Sequence, residues 1–448
     1  MTLVGRRSLR AGLVLMALVA GLVAPVVETG APAQAAPATV GAWTPPLEVP
    51  DADVVIILPA VGKGAFERQR AALQPWLDDL GLSYSLVPLS SIVSRKDLPT
   101  LTAEQVRDHL RGHYTRRVST EAQPRYLGIF APPTAGYLDP ADPAARVVPR
   151  FDVRVGSGQP FGSDVPYGIL GPATIDGGDG TVEPVDLDVT QPTFEVFRVP
   201  VTNQAGIRRF VRRHDRFMAS EHRSDVTLAS GEIGLFPGDS SVVQCISATM
   251  LAGIVPNVLK VLDSTASCPP DVLTSASGPR LADVLADPEG AFRGGTIVNV
   301  SHGSPTSISA GQRTNGVLAT FRNLGVADVA SIPADRLNVY ISIACDNDAP
   351  TTTGINLASA MYQQASVAVV SATTVVTPVG LDDILYAEVE SIVGLYQHDQ
   401  TLLQRMHTFR SEYYERFVLR ATGPVRDLLW TNVLTVGITG DGLVSVAP

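Results

Sequence analysis

The sequence of 448 residues lacks any block of basic side chains, and charged residues make up only 17% of it. Its formal net charge is -10. Nucleic-acid-binding surfaces carry clustered Lys and Arg, so this composition argues against a nucleic-acid partner. The glycine-rich phosphate-binding patterns are also missing, which argues against a nucleotide-dependent enzyme. Hydrophobic residues make up 45%, enough to fill a sizeable core.

Long hydrophobic runs are confined to the N-terminus. Arg6, Arg7 and Arg10 precede an apolar stretch over residues 11–27, and Ala33-Gln34-Ala35 forms an A-x-A site. This pattern predicts a signal peptide over residues 1–35, cleaved after Ala35, and a Pro-rich linker over residues 36–50. A signal anchor is the alternative, and the export route, general or twin-arginine, stays open. We therefore expect a secreted or cell-envelope protein with no membrane segment after cleavage.

Cysteine is scarce, with three residues at Cys245, Cys268 and Cys345. An odd number in an oxidising compartment leaves one thiol unpaired. Cys245 and Cys268 are close enough in sequence to pair, which would leave Cys345 free. Three buried thiols are the alternative.

The order of strand and helix patterns predicts an α/β fold. The apolar run over residues 54–58 is typical of a strand covered on both faces, and a helical pattern ending at Gly81 follows it. Further strands alternate with helices, which favours mostly parallel sheets. We predict two adjacent α/β subdomains, over residues 51–222 and 223–448.

Two features suggest metal chemistry only weakly. Asp176 and Asp179 lie in a Gly/Asp-rich segment that could hold calcium as a structural ion, but the segment lacks the EF-hand spacing and a solvated turn explains it better. We expect the histidines other than His302 to lie on the surface, and we predict no metal site among them. No cofactor is expected to be required.

Two apolar strand patterns each end in a chemically reactive residue. The segment TIVNVSHG ends in His302-Gly303, and VYISIACD carries Ala344-Cys345. Ligand sites form at the carboxyl ends of parallel strands, so neighbouring strands would bring both residues to one crevice. The segment NGVLATFRNLGVADV between them predicts a crossover helix. A thiol beside an imidazole is the minimum for nucleophilic catalysis. Taken singly, a buried core cysteine and a hydrogen-bonded histidine are the alternatives.

These motifs resemble the gingipain-type cysteine peptidases, members of the caspase-like group. The catalytic segments are similar to VNVSHGS and ISIACDND. The segments SDVPYGILG, EVFRVPVTN, NLASAMYQQASVAVVSATT and TNVLTVGITGDGLVSV also resemble segments of that family. Two positions in these segments depart from the family pattern, because Phe197 replaces a usual glycine and Gly442 replaces a usual proline.

The resemblance implies two adjacent caspase-like subdomains with the catalytic pair in the second. Cys345 would be the nucleophile and His302 the general acid/base, with the backbone N–H groups of Gly303 and Cys345 as the oxyanion hole. Asp215 matches the acid that supports the histidine, where the family has Glu.

We therefore expect a secreted cysteine endopeptidase, monomeric and acting on a peptide or protein substrate. The alternatives are a catalytically silent binding protein with this fold and a thiol acyltransferase.

Overall fold

The computed structural model describes residues 48–447 except position 121 and the segments 139–145, 172–180, 184–186, 231–245, 262–272, 275–279, 315–316, 352–354, 377–390 and 398–399. Several predictions lie outside the described residues: the signal peptide and most of the linker, the calcium candidates Asp176 and Asp179, and the pair Cys245 and Cys268. Among the described residues, no helix is both long and apolar enough to cross a membrane.

The first part of the chain alternates strands and helices as predicted. Its elements are β1 Val54–Leu58, α1 Lys63–Leu80, β2 Tyr84–Pro88, α2 Leu89–Ile92, α3 Ala103–Tyr114, β3 Tyr126–Ile129, β4 Phe151–Val153, β5 Phe161–Ser163, α4 Val165–Gly168, β6 Glu195–Arg198 and α5 Gln204–Met218. Gly81 ends α1 with a φ of 62°, the left-handed conformation that glycine adopts without strain. Thr102 caps α3 together with Gln105 in a capping box.

The second part of the chain is described here from the end of α5 onward. Its elements are β7 Val226–Ser230, β8 Val258–Val261, β9 Leu273–Thr274, α6 Leu281–Ala286, β10 Gly295–Val300, β11 His302–Ser304, β12 Ser307–Thr314, β13 Val317–Gly325, α7 Val326–Val329, β14 Asn338–Ile343, α8 Leu357–Gln364, β15 Ser366–Ala372, α9 Ser391–Gln397, α10 Leu402–Tyr413, α11 Gly423–Thr435 and β16 Val436–Gly440.

Eleven described strands form one sheet across both parts, in the order β2-β1-β3-β6-β16-β15-β14-β10-β7-β8-β9. Neighbours are parallel except β15 and β16, which are antiparallel. Two parallel half-sheets of opposite direction therefore meet at this pair. The predicted fold class, a mixed α/β fold with mostly parallel strands, is confirmed.

Both faces of the sheet are buried. In β1, Val54, Ile56 and Leu58 belong to one apolar cluster, whereas Val55 and Ile57 belong to a second one. Successive side chains of a strand point to opposite faces, so one continuous apolar run supplies both clusters.

The connection between β10 and β14 differs from the prediction. The expected crossover helix is instead the strand β13, paired antiparallel with β12, followed by the four-residue α7. Strands β11, β12 and β13 form a separate small sheet. Pairing with β12 satisfies the backbone of β13 in extended form, so tertiary context overrides the apolar pattern that suggested a helix.

Candidate functional site

The strand ends that carry His302 and Cys345 are neighbours in the sheet. Strands β10 and β14 are parallel, with Val300 opposite Ile343. The Ser301 amide donates to the Ile343 carbonyl at 3.3 Å, which extends the pairing by one residue. The spacing in sequence between His302 and Cys345 equals that between Val300 and Ile343. Both residues therefore come just after their strands, at the same edge of the sheet. The structure thus brings together the two backbone positions that the sequence singled out.

Gly303 lies directly against the backbone of Cys345. A Cβ at Gly303 would overlap the Cys345 carbonyl oxygen and lie 2.6 Å from its amide nitrogen. Any side chain at this position would therefore push the histidine-bearing chain away from the cysteine. The backbones of Gly303 and Cys345 are therefore in close contact, and the predicted oxyanion hole requires the amides of these two residues to be near each other.

The Cys345 thiol is partly buried and unpaired. Its Sγ donates to the Val376 carbonyl oxygen at 3.5 Å. Burial raises the pKa of Cys345 above its ordinary value, and backbone hydrogen bonds with Val376, Gly303 and Cys345 itself offset only part of the effect. The nearby Asp346 carboxylate also raises the pKa. The sulfur is therefore a protonated thiol at neutral pH, and its nucleophilicity depends on a base that removes the proton.

The turn after Cys345 has an unusual backbone. Asp346 has a φ of 56° and is the one non-glycine residue with positive φ in the described part of the chain. Its amide donates to the Thr374 carbonyl at 3.2 Å, and its carbonyl accepts from the Ala349 amide at 2.9 Å. Non-glycine residues held in this conformation cluster at functional sites, and Asp tolerates it better than most.

Asn347 joins the cysteine turn to the hairpin that begins at His302. Its buried side-chain amide donates to the Ser304 carbonyl at 2.8 Å, and its Oδ1 accepts from the Ser342 hydroxyl at 2.6 Å. One side chain thus holds the strand before Cys345 and the chain after His302 together. Sequence reasoning treated Asn347 only as part of a polar turn and missed this role.

A buried ion network supports the same turn from the first part of the chain. Asp348 is 1% exposed and pairs with the Arg150 guanidinium, which also reaches the Asp348 carbonyl oxygen at 3.2 Å. Arg150 also contacts Asp164, which pairs with Arg198 at 2.8 Å. Tyr137 donates its hydroxyl to the Asp348 carboxylate. The two arginines hold the pKa of Asp164 below its usual range although burial alone would raise it.

Two members of this network come from segments that resemble the gingipain-type family. Asp164 comes from SDVPYGILG and Arg198 from EVFRVPVTN. Both residues are far from Cys345 in sequence, yet the chain Arg198–Asp164–Arg150–Asp348 connects them to its turn. An unpaired buried charge costs several kcal/mol, roughly 3–5 when one partner of a buried pair is removed, so the members of the network depend on each other.

The two departures from the family pattern, Phe197 and Gly442, are in contact with each other. A Cβ at Gly442 would lie 2.8 Å from Cβ of Phe197. A larger residue at position 442 would therefore collide with the aromatic side chain that replaces the usual glycine. Positions 197 and 442 are thus packed against each other, and Phe197 leaves no room for a side chain at position 442.

Asp215 is not brought to His302. It lies on the exposed face of α5, and its neighbour Arg213 donates to the carbonyls of Tyr362 and Gln363, just before β15 begins. The strands of this half-sheet begin on that side, whereas His302 and Cys345 lie on the opposite side, where β10 and β14 end. The match to the family acid rested on sequence order and did not account for this topology.

Two other histidines are buried, contrary to the prediction of surface positions. His214 is 3% exposed, with Nδ1 2.5 Å from Asp441 Oδ2. Burial alone would lower its pKa, but the carboxylates of Asp441 and, to a smaller extent, Asp79 more than offset this, so the pKa of His214 is raised. His407 is 8% exposed and 2.7 Å from Glu195. Both lie on amphipathic helices, where a buried carboxylate partner makes an inward imidazole acceptable.

Comparison with known proteins identifies the fold but no family. No family model and no curated protein matches the sequence. A solved structure described as "Structure of Protease" aligns over 88% of this chain and 78% of that chain, with a TM-score of 0.56 and 12% identity. The chain shares the fold of this protease. A structure of dimeric latent PorU from Porphyromonas gingivalis aligns over 39% of this chain and 16% of that chain, with 16% identity and a TM-score of 0.26, too low to support any argument.

Proposed function

We propose that the chain is a secreted cysteine endopeptidase, with Cys345 as nucleophile and His302 as general acid/base. The observation that carries the proposal is the register of β10 and β14, which sets the ends of both motifs side by side in a fold shared with a protease. The close approach of Gly303 to Cys345 supports the oxyanion role of their amides.

The proposed reaction has two stages. His302 takes the proton from the Cys345 thiol, and the thiolate attacks the carbonyl carbon of the scissile peptide bond. The Gly303 and Cys345 N–H groups stabilise the oxyanion. The C–N bond breaks while His302 returns the proton to the leaving amine, which leaves a thioester. Water then attacks the thioester as His302 accepts a proton, and cleavage of the C–S bond regenerates the thiol.

The deciding experiment uses a peptide substrate mimic with an electrophilic group that alkylates thiols irreversibly. We expect the label on Cys345, located by mass spectrometry of the digested protein, and no label at that position in Cys345→Ala. Hydrolysis of a peptide library should be lost in Cys345→Ala and His302→Gln. His222→Gln is the control, because His222 is a solvent-accessible histidine outside the proposed site, and this variant should keep its activity. Full activity in Cys345→Ala would end the proposal.

A second candidate function is a binding protein that keeps the peptidase fold without catalysis. The raised pKa of Cys345 and its hydrogen bond to the Val376 carbonyl favour this alternative, because a thiol of this kind is a poor nucleophile. A folded protein whose Cys345 never reacts across a library of peptidyl electrophiles would support it. Transfer of the acyl group to an added amine in preference to water would instead identify a thiol acyltransferase.

A further inference from the structure

Three potential metal ligands meet beside α3. Glu48, just before β1, and His109 and His113 of α3 place one ligand atom each within 4.8 Å of one another. His109 and His113 are four residues apart in DHLRGHY, so both imidazoles lie on the same face of the helix. The prediction of no metal site among the histidines overlooked this spacing.

The hydrogen bonding of His113 leaves its outer nitrogen available. Its Nδ1 is 2.7 Å from the His109 carbonyl oxygen. A carbonyl can only accept, so Nδ1 carries the proton and Nε2 has a free lone pair. Metal-bound imidazoles commonly donate their second nitrogen to a backbone carbonyl in this way. His113 is exposed, so a solvated ion can reach Nε2.

Glu48 adds the negative charge. One of its oxygens, Oε1, lies 2.9 Å from His109 Nε2, and the side chains of His109 and Glu48 are 12% and 10% exposed. A simple His109–Glu48 pair accounts for two of these residues, and His113 adds a third potential ligand to it.

We propose that Glu48, His109 and His113 bind one divalent transition-metal ion of the zinc class. Two imidazole nitrogens and a carboxylate oxygen suit zinc, whose ligands lie at about 2.0–2.2 Å, so any two ligand atoms of a tetrahedral site are about 3.3–3.6 Å apart. The ligand atoms observed here lie within 4.8 Å of one another, so they must move closer together when the ion binds. With three protein ligands, a tetrahedral ion keeps a fourth position for water.

Such an ion would join the segment before β1 to α3. The hydrogen bonds that hold this segment include that of the Val49 amide to Ser85 Oγ at 3.2 Å and that of the Arg125 side chain to the Pro50 carbonyl at 2.9 Å. A metal link would fix the point at which the chain enters the sheet. It involves neither His302 nor Cys345, so it stands apart from the proposed peptidase function.

The test is calorimetric titration of the chelator-treated protein with zinc, in a Cys345→Ser background so that this thiol does not contribute. We expect one saturable site, and a loss of affinity in His109→Gln and in His113→Gln that exceeds the about 10- to 100-fold typical of losing an outer-shell partner. His222→Gln, which removes a histidine flanked by Glu221 and Asp225, should bind like the parent protein. Because His113 is exposed, its substitution leaves the fold intact, which circular dichroism checks.

Cobalt titration gives an independent readout of the ligands. Bound cobalt should show the visible absorption of a four-coordinate ion, and the band should vanish in His113→Gln. An absence of saturable zinc binding, or equal affinity in His113→Gln and His222→Gln, would overturn the site. Full affinity in Glu48→Gln would overturn the three-ligand assignment.

Discussion

Gly128 and Phe197 form a packing pair whose energy can be worked out from the structure. The two are register partners in the parallel strands β3 and β6. A Cβ at Gly128 would lie 2.7 Å from Cζ of Phe197 and 3.1 Å from Cε2 of Phe130. The Phe197 ring is buried between Trp76 and Phe130, with centroids 6.5 and 6.4 Å away, so it has no space into which to move.

Gly128→Ala should therefore destabilise the protein. Overpacking a filled core costs about 1–3 kcal/mol. Replacing a strand glycine recovers about 0.5–1 kcal/mol of backbone entropy, which leaves a net loss of up to roughly 2.5 kcal/mol. Phe197→Leu removes the ring atoms that would collide. In that background we expect Gly128→Ala to be neutral or stabilising by up to about 1 kcal/mol, a coupling of about 1–3 kcal/mol.

The assay is denaturant unfolding of the four proteins of this cycle, followed by circular dichroism and tryptophan fluorescence. Coincidence of the two signals checks that a single free energy of unfolding is defined. Gly112→Ala is the control, because Gly112 is exposed in α3 and a Cβ added there would meet no atom within 4 Å, so its replacement should stabilise by about 1 kcal/mol. The reasoning fails if Gly128→Ala is as harmless as Gly112→Ala, or costs the same with Leu at position 197.

Three further predictions concern Cys345, Asn347 and the buried His214. Burial raises the pKa of Cys345, so its alkylation by iodoacetamide in the ligand-free protein should still accelerate above pH about 8.5, the ordinary cysteine pKa. An alkylation rate that does not change with pH down to pH about 6 would contradict this. Asn347→Ala should lower the free energy of unfolding by about 1–3 kcal/mol, because the buried Ser342 hydroxyl and the Ser304 carbonyl lose their partner, and thermal unfolding measures it. The raised pKa of His214 means that the folded state holds its proton more tightly than the unfolded state. The stabilisation by its pair with Asp441 is thus fully present below pH about 6.5 and is lost as the pH rises through the pKa of His214 in the folded state. Unfolding curves measured over a pH series should show this dependence of the free energy of unfolding on pH, and His214→Gln should remove it. An unchanged dependence in His214→Gln would refute the role of the pair.

The strand pair that carries the candidate site was predictable from local patterns. Each strand is an apolar run of strand length followed by a reactive residue, and parallel neighbours present their carboxyl ends at one edge. The prediction of these strands succeeded because burial on both faces leaves a continuous apolar signal in the sequence. His302, Gly303 and Cys345 could therefore be placed at strand ends from the sequence alone.

The connection between those strands was not predictable in the same way. The segment that forms β13 has apolar residues at spacings that suit either a helix or a strand, and only the presence of β12 decides between them. The assignment of Asp215 failed for a related reason. Sequence order suggested its role, whereas the direction of the half-sheets placed it at the opposite edge.

The ion network that supports the turn after Cys345 could not be predicted from the sequence, for a further reason. The ion network from Arg198 to Asp348 depends on residues brought together from both parts of the chain, and no spacing rule connects them. Charged residues are normally solvent-exposed, so each looked like surface when read singly. Only their partners make their burial possible.

The position of β16 sets a constraint on the order of assembly. This strand follows every other strand of the large sheet in sequence, yet it sits in the middle, between β6 and β15. Until it arrives, each half-sheet presents an unpaired inner edge, and such edges recruit strands from other molecules. A chain interrupted before Val436 would thus keep both half-sheets and lose the strand that seals them. Newly made molecules are most vulnerable to self-association in the interval before this last strand closes the gap.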